Sequence, residues 1–424
     1  MNSRGHRFPA VGSMRGSAAP HQVPFLLAGL LTLCEAAQAQ APFDDRLSGD
    51  WGGVRSSLAG HGVTLDLESA SFYQGLLSGF GDDEFEYAGR LDALVNFDTA
   101  KLGLWEGGVL RTHTEYRYGD LNPNLGGTLL ATNSALILPT GKHEEVVVTS
   151  IHLAQRFGDR VNVLLGRINA LDLLAADPFF GGGGRSRFLN LAFSAPPSGI
   201  TPAVIMGVVA TLRTTPIAWT FMVFDPDDRT NDYWPDDFFG SGVDVSVSAS
   251  YAGEMLGRTS SLTVTGTYTT KDGANLGELL LPPELQTGER DHSWYISVHV
   301  GRFLHESPGE RGAGWGFFLK TAASDGNPNP FQASIMGGVG GKGLFASRPH
   351  DTFGLGYFYV DFSDDLQSSL NPFLTFQDEQ GIEVFYNYVV TGWLHVAADL
   401  QYVDPALGDT SDAFVAGLRA TIRF

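Results

Sequence analysis

The sequence predicts an all-β fold, an antiparallel β-barrel closed within a membrane, and three observations predict it. Apolar and polar side chains alternate through segments of about ten residues, the length of a tilted membrane strand. An export leader is followed by no run of 18 apolar residues, so no spanning helix is expected. The composition suits strands and turns: 424 residues with 53 Gly, 12% aromatic side chains and 17% charged ones, against a usual charged fraction of about 25%.

The leader comes first. Arg4, Arg7 and Arg15 precede an apolar run, Val23 to Cys34, and small residues follow at Ala37, Ala39 and Ala41. A positive start, a short apolar stretch and an A-x-A site predict a cleaved signal peptide over residues 1–41. Cys34 is the single cysteine and would leave with it, so neither a disulfide nor a cysteine-based zinc site is expected. Cleavage also removes three Arg and one Glu, leaving 24 basic and 46 acidic residues, net −22. That charge and a pI near 4.8 would repel a phosphate backbone, so no nucleic-acid partner is expected.

Residues 42–62 do not alternate. Leu47, Trp51, Val54 and Leu58 recur at helical spacing, which predicts a loop and short helix tucked against or into the barrel mouth. Asp50, Trp51 and Arg55 are its candidate plug residues.

From residue 63 to 424 the period is two. Val243, Val245, Val247 and Ala249 alternate with Asp244, Ser246, Ser248 and Ser250. Leu262 and Val264 alternate with Thr263, Thr265 and Thr267; Trp294, Ile296 and Val298 with Tyr295, Ser297 and His299. The last run sets Phe414, Ala416, Leu418, Ala420, Ile422 and Phe424 against Gly417, Arg419, Thr421 and Arg423. Such strands have one apolar face and one wet face. A soluble sandwich would alternate too, but over about 5–6 residues. Aromatic residues at the strand ends suit a headgroup region. A final amphipathic strand ending in Phe424 suits recognition by barrel-assembly machinery.

Charged side chains on a lipid face cost about 2–4 kcal/mol near the midplane, so charged faces should point inward. Arg111, His113, Glu115 and Arg117 share one face of a predicted strand, and His152 and Arg156 share another with Ser150. These are candidate lumen residues, able to bond adjacent hydroxyls while aromatic rings stack on C–H faces. Arg167 has the parity of Val161, Val163 and Leu165, so it reaches the lumen only if the strand bulges near Gly166. Asp172 completes the candidate set.

Catalytic chemistry is not apparent. His143-Glu144-Glu145 lacks the second His of a zinc-protease helix, since Val147 stands there. Asp225 to Arg229 lacks a calcium-loop register. Gly338 to Gly343 matches a nucleotide-binding pattern in letters only and reads as a glycine-rich turn. No cofactor and no metal are expected.

Leu47-Ser48-Gly49-Asp50-Trp51-Gly52-Gly53-Val54-Arg55 resembles the amino-terminal signature of the carbohydrate-selective porins (OprB-like). Leu165-Gly166-Arg167-Ile168-Asn169 with Leu171-Asp172, Asp177-Pro178-Phe179-Phe180-Gly181, Gly340 to Phe345 with Arg348-Pro349, and Asp351 to Tyr357 are similar to it as well, as is the tail from Glu383 onward. The resemblance implies a sixteen-stranded barrel in the bacterial outer membrane, in contact with its lipid. It implies passive diffusion of small neutral sugars, glucose-like monosaccharides, through a lumen narrowed by inward loops. Homotrimers are common among large porins. Two other functions stay open: a cation-leaning general porin, motivated by the net charge, and an outer-membrane barrel enzyme, for which no nucleophile–base motif is found.

Overall fold

The computed structural model describes residues 45–139, 144–234, 236–307 and 312–424. The leader expected over residues 1–41 and the His143 position lie outside the described residues. The described residues form sixteen strands in one closed antiparallel barrel, each bonded to its neighbours in sequence. In chain order they are β1 (Val63–Ser78), β2 (Glu86–Asp98), β3 (Gly108–Gly119), β4 (Val146–Phe157), β5 (Val161–Asn169), β6 (Val204–Thr214), β7 (Ile217–Phe224) and β8 (Asp244–Met255). There follow β9 (Arg258–Thr269), β10 (Ser293–Glu306), β11 (Gly314–Ser324), β12 (Phe331–Lys342), β13 (Thr352–Phe362), β14 (Glu379–Val389), β15 (Leu394–Asp404) and β16 (Ala413–Arg423).

The ring closes where β1 pairs with β16, in register from Glu68–Arg423 to Leu76–Val415. Full closure leaves no backbone donor or acceptor row facing lipid, which a membrane interior requires. One end of the barrel carries mostly tight connections, such as 158–160, 215–216 and 256–257; the other carries long ones, including 170–203, 225–243 and 270–292.

Alternation sorts the side chains as the sequence predicts. Leu91, Ile151, Val245, Val247, Val264, Ile296, Val298, Leu355, Ile382, Leu400 and Leu418 are exposed on the outer wall. Their sequence neighbours Asp92, His152, Ser246, His299, Glu383, Gln401 and Arg419 are buried inside.

The amino-terminal segment lies at the end with the tight turns. Leu47 N–H donates to the Arg423 carbonyl, Arg46 pairs with Asp66, and Arg55 Nη1 donates to the Phe424 carbonyl at 2.9 Å. A seven-residue helix, α1 (Val54–Gly60), follows. Its apolar side does not turn toward the barrel. Instead Leu47, Trp51, Val54 and Leu58 are exposed while Arg55 is buried, its guanidinium 4.2 Å from the Trp51 ring centroid. Carbonyls and carboxylates at the barrel rim offer cations more than they offer aliphatic groups, so polar contacts fix the segment's orientation.

A second expectation is corrected at the glycine run. Gly338 to Lys342 belong to strand β12, not to a turn. The reason is close approach: a Cβ at Gly338 would stand 2.2 Å from the Leu355 carbonyl oxygen. Chain without side chains lets β12 and β13 pack tightly where a loop presses on their inner face.

That loop divides the interior. The family resemblance implies a lumen narrowed by inward loops, and where this loop enters, the narrowing is a dry core. Phe179, Phe180, Phe188 and Phe193 of the β5–β6 loop pack against inward-facing Phe303, Phe318, Phe358 and Phe385. Gly354 and Gly356 make the seat. A Cβ there would lie 2.5 Å from Phe188 Cζ and 2.6 Å from Phe193 Cε1.

Candidate functional site

A cavity of about 700 Å³ lies inside the barrel among β6–β11 and the β5–β6 loop. Its strand wall carries small hydroxyls beside apolar Ile205, Val209, Ala218 and Met222. Thr211 on β6 faces Thr220 on β7, Thr220 faces Ser248 on β8, Ser248 faces Thr265 on β9, and Thr265 faces Ser297 on β10. All five line the cavity in one continuous row. Hydroxyl contacts run along and beside it: Thr211 Oγ1 to Thr220 Oγ1 at 3.3 Å, Ser248 Oγ to Thr265 Oγ1 at 2.8 Å, Ser246 Oγ to Thr267 Oγ1 at 2.9 Å. Each hydroxyl has one proton and two lone pairs, so a row of them keeps bonding capacity toward the cavity. The opposite wall is apolar, with Leu171, Leu173, Leu174, Phe180, Pro196 and Ile200 from the β5–β6 loop.

Most charged residues singled out in the sequence lie elsewhere. His113, Glu115 and Arg117 converge with Asp172 in a buried cluster beneath the loops, joined by Arg90, Asp92 and Arg185. Arg90 Nη2 is 2.7 Å from Asp92 Oδ1 and 2.9 Å from Glu115 Oε1. Arg117 Nη2 is 2.8 Å from Glu115 Oε2. Both ring nitrogens of His113 meet carboxylates, Nε2 at Asp92 (2.8 Å) and Nδ1 at Asp172 (2.7 Å), which suits the doubly protonated ring. Arg185 Nη2 reaches Asp172 Oδ1 at 2.8 Å. Glu115 Oε1 also accepts from Thr149 Oγ1 and Asn169 Nδ2, each at 2.9 Å. A register shift between β3 and β4 at His113/Thr114 turns Thr149 inward against the alternation.

Asp92, His113 and Glu115 also have the donor types of a metal site and lie close together. Arg90 already sits on both carboxylates, so a cation there would meet a guanidinium. The cluster reads instead as an anchor. Arg90 Nη1 donates to the Leu138 carbonyl at 3.2 Å, and Arg117 Nε and Nη1 donate to Ala135 and Pro139. Asp172 sits on the loop itself, outside the spanning strands. Burial would raise its carboxyl pKa, but the charges of His113 and Arg185 outweigh this and hold it down at about 2.

Glutamates hold the loops from the other side. Glu379 accepts the backbone N–H groups of Leu129 and Leu130 at 2.7 and 2.8 Å, and Glu383 those of Leu189 and Asn190 at 2.5 and 3.0 Å. Arg419 Nη1 donates to the carbonyls of Gly184 and Arg187 at 2.8 Å.

The remaining candidates separate. Arg111 and His152 face each other across β3 and β4 on the inner wall, away from the cavity's lining residues. Arg156 is exposed at the tight-turn end. Arg167 does not enter the lumen. Gly166 has a φ of +130°, but the pairing of β4 and β5 runs on unshifted and sets Arg167 opposite outward-facing Ile151. It is buried under the β7–β8 loop, donating to the Thr230 and Asp232 carbonyls with its guanidinium 4.5 Å from the Tyr233 ring centroid. Asp50 caps α1 by accepting from Ser56 N and Oγ.

The cavity-lining hydroxyls escaped the sequence reading, which looked for charge. Their signal was present: Ser at 246, 248 and 250, and Thr at 263, 265 and 267, occupy the non-apolar parity of two adjacent strands.

Comparison with known proteins agrees with this architecture. The model of the carbohydrate-selective porin OprB family matches residues 82–424. Porin B of Pseudomonas aeruginosa is 24% identical over 443 residues, covering 92% of this chain and 94% of the relative. The high-pH structure of Pseudomonas putida OprB superposes with a TM-score of 0.77 at 19% identity, covering 90% of this chain and 99% of that one. The low-pH structure of the same protein gives a TM-score of 0.56 at 18% identity. The sixteen-stranded closed barrel, the greasy outer wall and the family match together identify the chain as a member of the carbohydrate-selective porin family, a β-barrel of the outer membrane.

Proposed function

We propose that the protein is a passive channel for small neutral sugars of monosaccharide size, glucose-like in their hydroxyl pattern, moving into the periplasm with no covalent chemistry. The observation that carries this is the two-faced cavity: a row of five Ser/Thr hydroxyls opposite an apolar loop wall. A pyranose presents hydroxyls at its rim and C–H groups on its faces. It can exchange bonds with the row while its faces slide along Leu171, Leu173, Leu174 and Phe180. Hydrogen bonds exchanged for water bonds contribute only about 1 kcal/mol each, so the solute is recognised and still released.

The acidic excess of the chain is not concentrated at the cavity wall. The lining carries as many lysines, Lys271 and Lys320, as aspartates, Asp177 and Asp228, which favours neutral solutes over a cation-selective pore. The predicted residues Arg111, His113, Glu115, Arg117, His152, Arg156, Arg167 and Asp172 are assigned supporting rather than sugar-contacting roles. We further propose that residues 1–41 form the cleaved leader, that 42–62 cover the periplasmic mouth, that the strand ending in Phe424 is read by assembly machinery, and that the barrel forms homotrimers.

Liposome swelling tests the channel reading. Glucose should enter liposomes bearing the protein faster than a disaccharide, and glucose should interrupt ion current in planar bilayers. Strong cation preference with no interruption by any sugar would overturn it.

A further inference from the structure

We propose that the channel also accepts sugar acids, monosaccharides carrying a single carboxylate, and that Lys320 reads that carboxylate. The inference rests on the sugar-channel reading and adds a charged substrate class to it.

Lys320 stands on β11 directly opposite His299 of β10, which in turn faces Thr263 of β9 and, beyond it, Ser250 of β8. This is the row next to the hydroxyl ladder, and its members line the same cavity. The other lysine of the wall is occupied, since Lys271 Nζ lies 2.7 Å from Asp227 Oδ1. Among the described residues Lys320 forms no ion pair. A carboxylate of the β5–β6 loop, Asp177, lies beside this row. Its Oδ1 accepts the N–H groups of Phe179 and Phe180 at 2.8 and 3.2 Å, and its Oδ2 is 3.6 Å from His299 Nε2. His299 Nε2 is itself buried without a hydrogen-bond partner. The wall therefore offers one uncommitted ammonium with an unsatisfied ring nitrogen on the neighbouring strand.

Spacing supplies the rest. Residues two apart on a strand are separated by about 6.8 Å, so Ser297 of the ladder and His299 of the next row are about that far apart. A hexose with an acidic terminal carbon has a similar length. A carboxylate at Lys320 thus leaves the sugar's hydroxyls opposite Thr265 and Ser297. A neutral sugar uses the ladder alone, whereas a sugar acid uses both rows.

The test uses the full-length protein in planar bilayers, with glucose and gluconate as probes of current interruption. Wild type should be interrupted by both. Lys320→Gln should raise the half-blocking gluconate concentration relative to that of glucose roughly fivefold, the Boltzmann weight of one contact between unit charges in water, and Lys320→Arg should restore the ratio. A second measurement needs no variant. Raising salt from about 0.1 M to about 1 M shortens the screening length from about 10 Å to about 3 Å, and should weaken the gluconate effect while sparing that of glucose. Interruption by glucose alone in wild type, or an unchanged ratio in Lys320→Gln, overturns the sugar-acid inference and leaves the sugar channel standing. Absence of interruption by either probe removes both.

Discussion

The two halves of the lumen use inward-facing positions in opposite ways. Beside β1–β4 and β12–β16, and at Phe303 and Phe318 of β10 and β11, the space is filled. Arginines, carboxylates and phenylalanines there bind two loops to the wall, and their bonding capacity is spent internally. Beside β6–β10 the space is open, and the wall carries short hydroxyls whose capacity is only half used. The fully paired charges build the wall, whereas the groups proposed to meet solute, the short hydroxyls and Lys320, keep bonding capacity toward the cavity.

The contrast can be broken first at the anchor. Arg90→Ala leaves Asp92 and Glu115 buried without their shared guanidinium, and removing one member of a buried ion pair costs about 3–5 kcal/mol. Denaturant unfolding of the reconstituted barrel should show a loss of this size; a change within 0.5 kcal/mol would mean the cluster anchors nothing. The loop's seat comes next. Gly356→Val places a Cβ where Phe193 Cε1 is 2.6 Å away, and overpacking should cost about 1–3 kcal/mol. Much of it should be recovered in the Gly356→Val, Phe193→Ala double variant, judged against Phe193→Ala alone.

Acid sharpens the comparison more gently. The Asp172 carboxyl, held at about 2 in the folded protein, titrates near 3.9 when unfolded. Its folded pKa is the lower one, so its contribution is complete above about pH 5. It is lost as pH falls from about 4 through 2, amounting to about 2–3 kcal/mol. Unfolding midpoints between pH 2 and 5 should slope less in Asp172→Asn than in wild type. The smallest effect on stability belongs to the open half. Thr265→Val removes one ladder hydroxyl and should cost the barrel about 1 kcal/mol or less, with ion conductance kept. Glucose affinity, read from current interruption, should fall about fivefold, the equivalent of one hydrogen bond. Unchanged glucose affinity would place the solute path away from the ladder.

The fold was legible because the barrel wall obeys a local rule. Val245, Val247, Leu418 and Ile422 declare the outer face by parity alone, and Arg419 or Asp92 the inner one. What lies within the inner face is not local. His113 and Asp172 meet across 59 residues of sequence and Glu383 meets Leu189 across 194, so no spacing announces that these charges are spent. Thr149 turns inward by a bulge that has no mark in the sequence. Nothing local marks Gly354 and Gly356 as the recess for Phe188 and Phe193. The parity of Arg167 is legible, but the loop that covers it lies more than sixty positions away.

The seam between β1 and β16 has a consequence for how such a chain is made. It joins residues such as Glu68 and Arg423, among the most distant in the polypeptide, and contacts of that separation are the slowest to form. Until Ala413–Arg423 is in place the growing sheet keeps two raw edges, each able to recruit a stranger. The bonds from Leu47 to Arg423 and from Arg55 to Phe424 rivet the same joint a second time, so closing the ring and seating the amino-terminal segment depend on one strand.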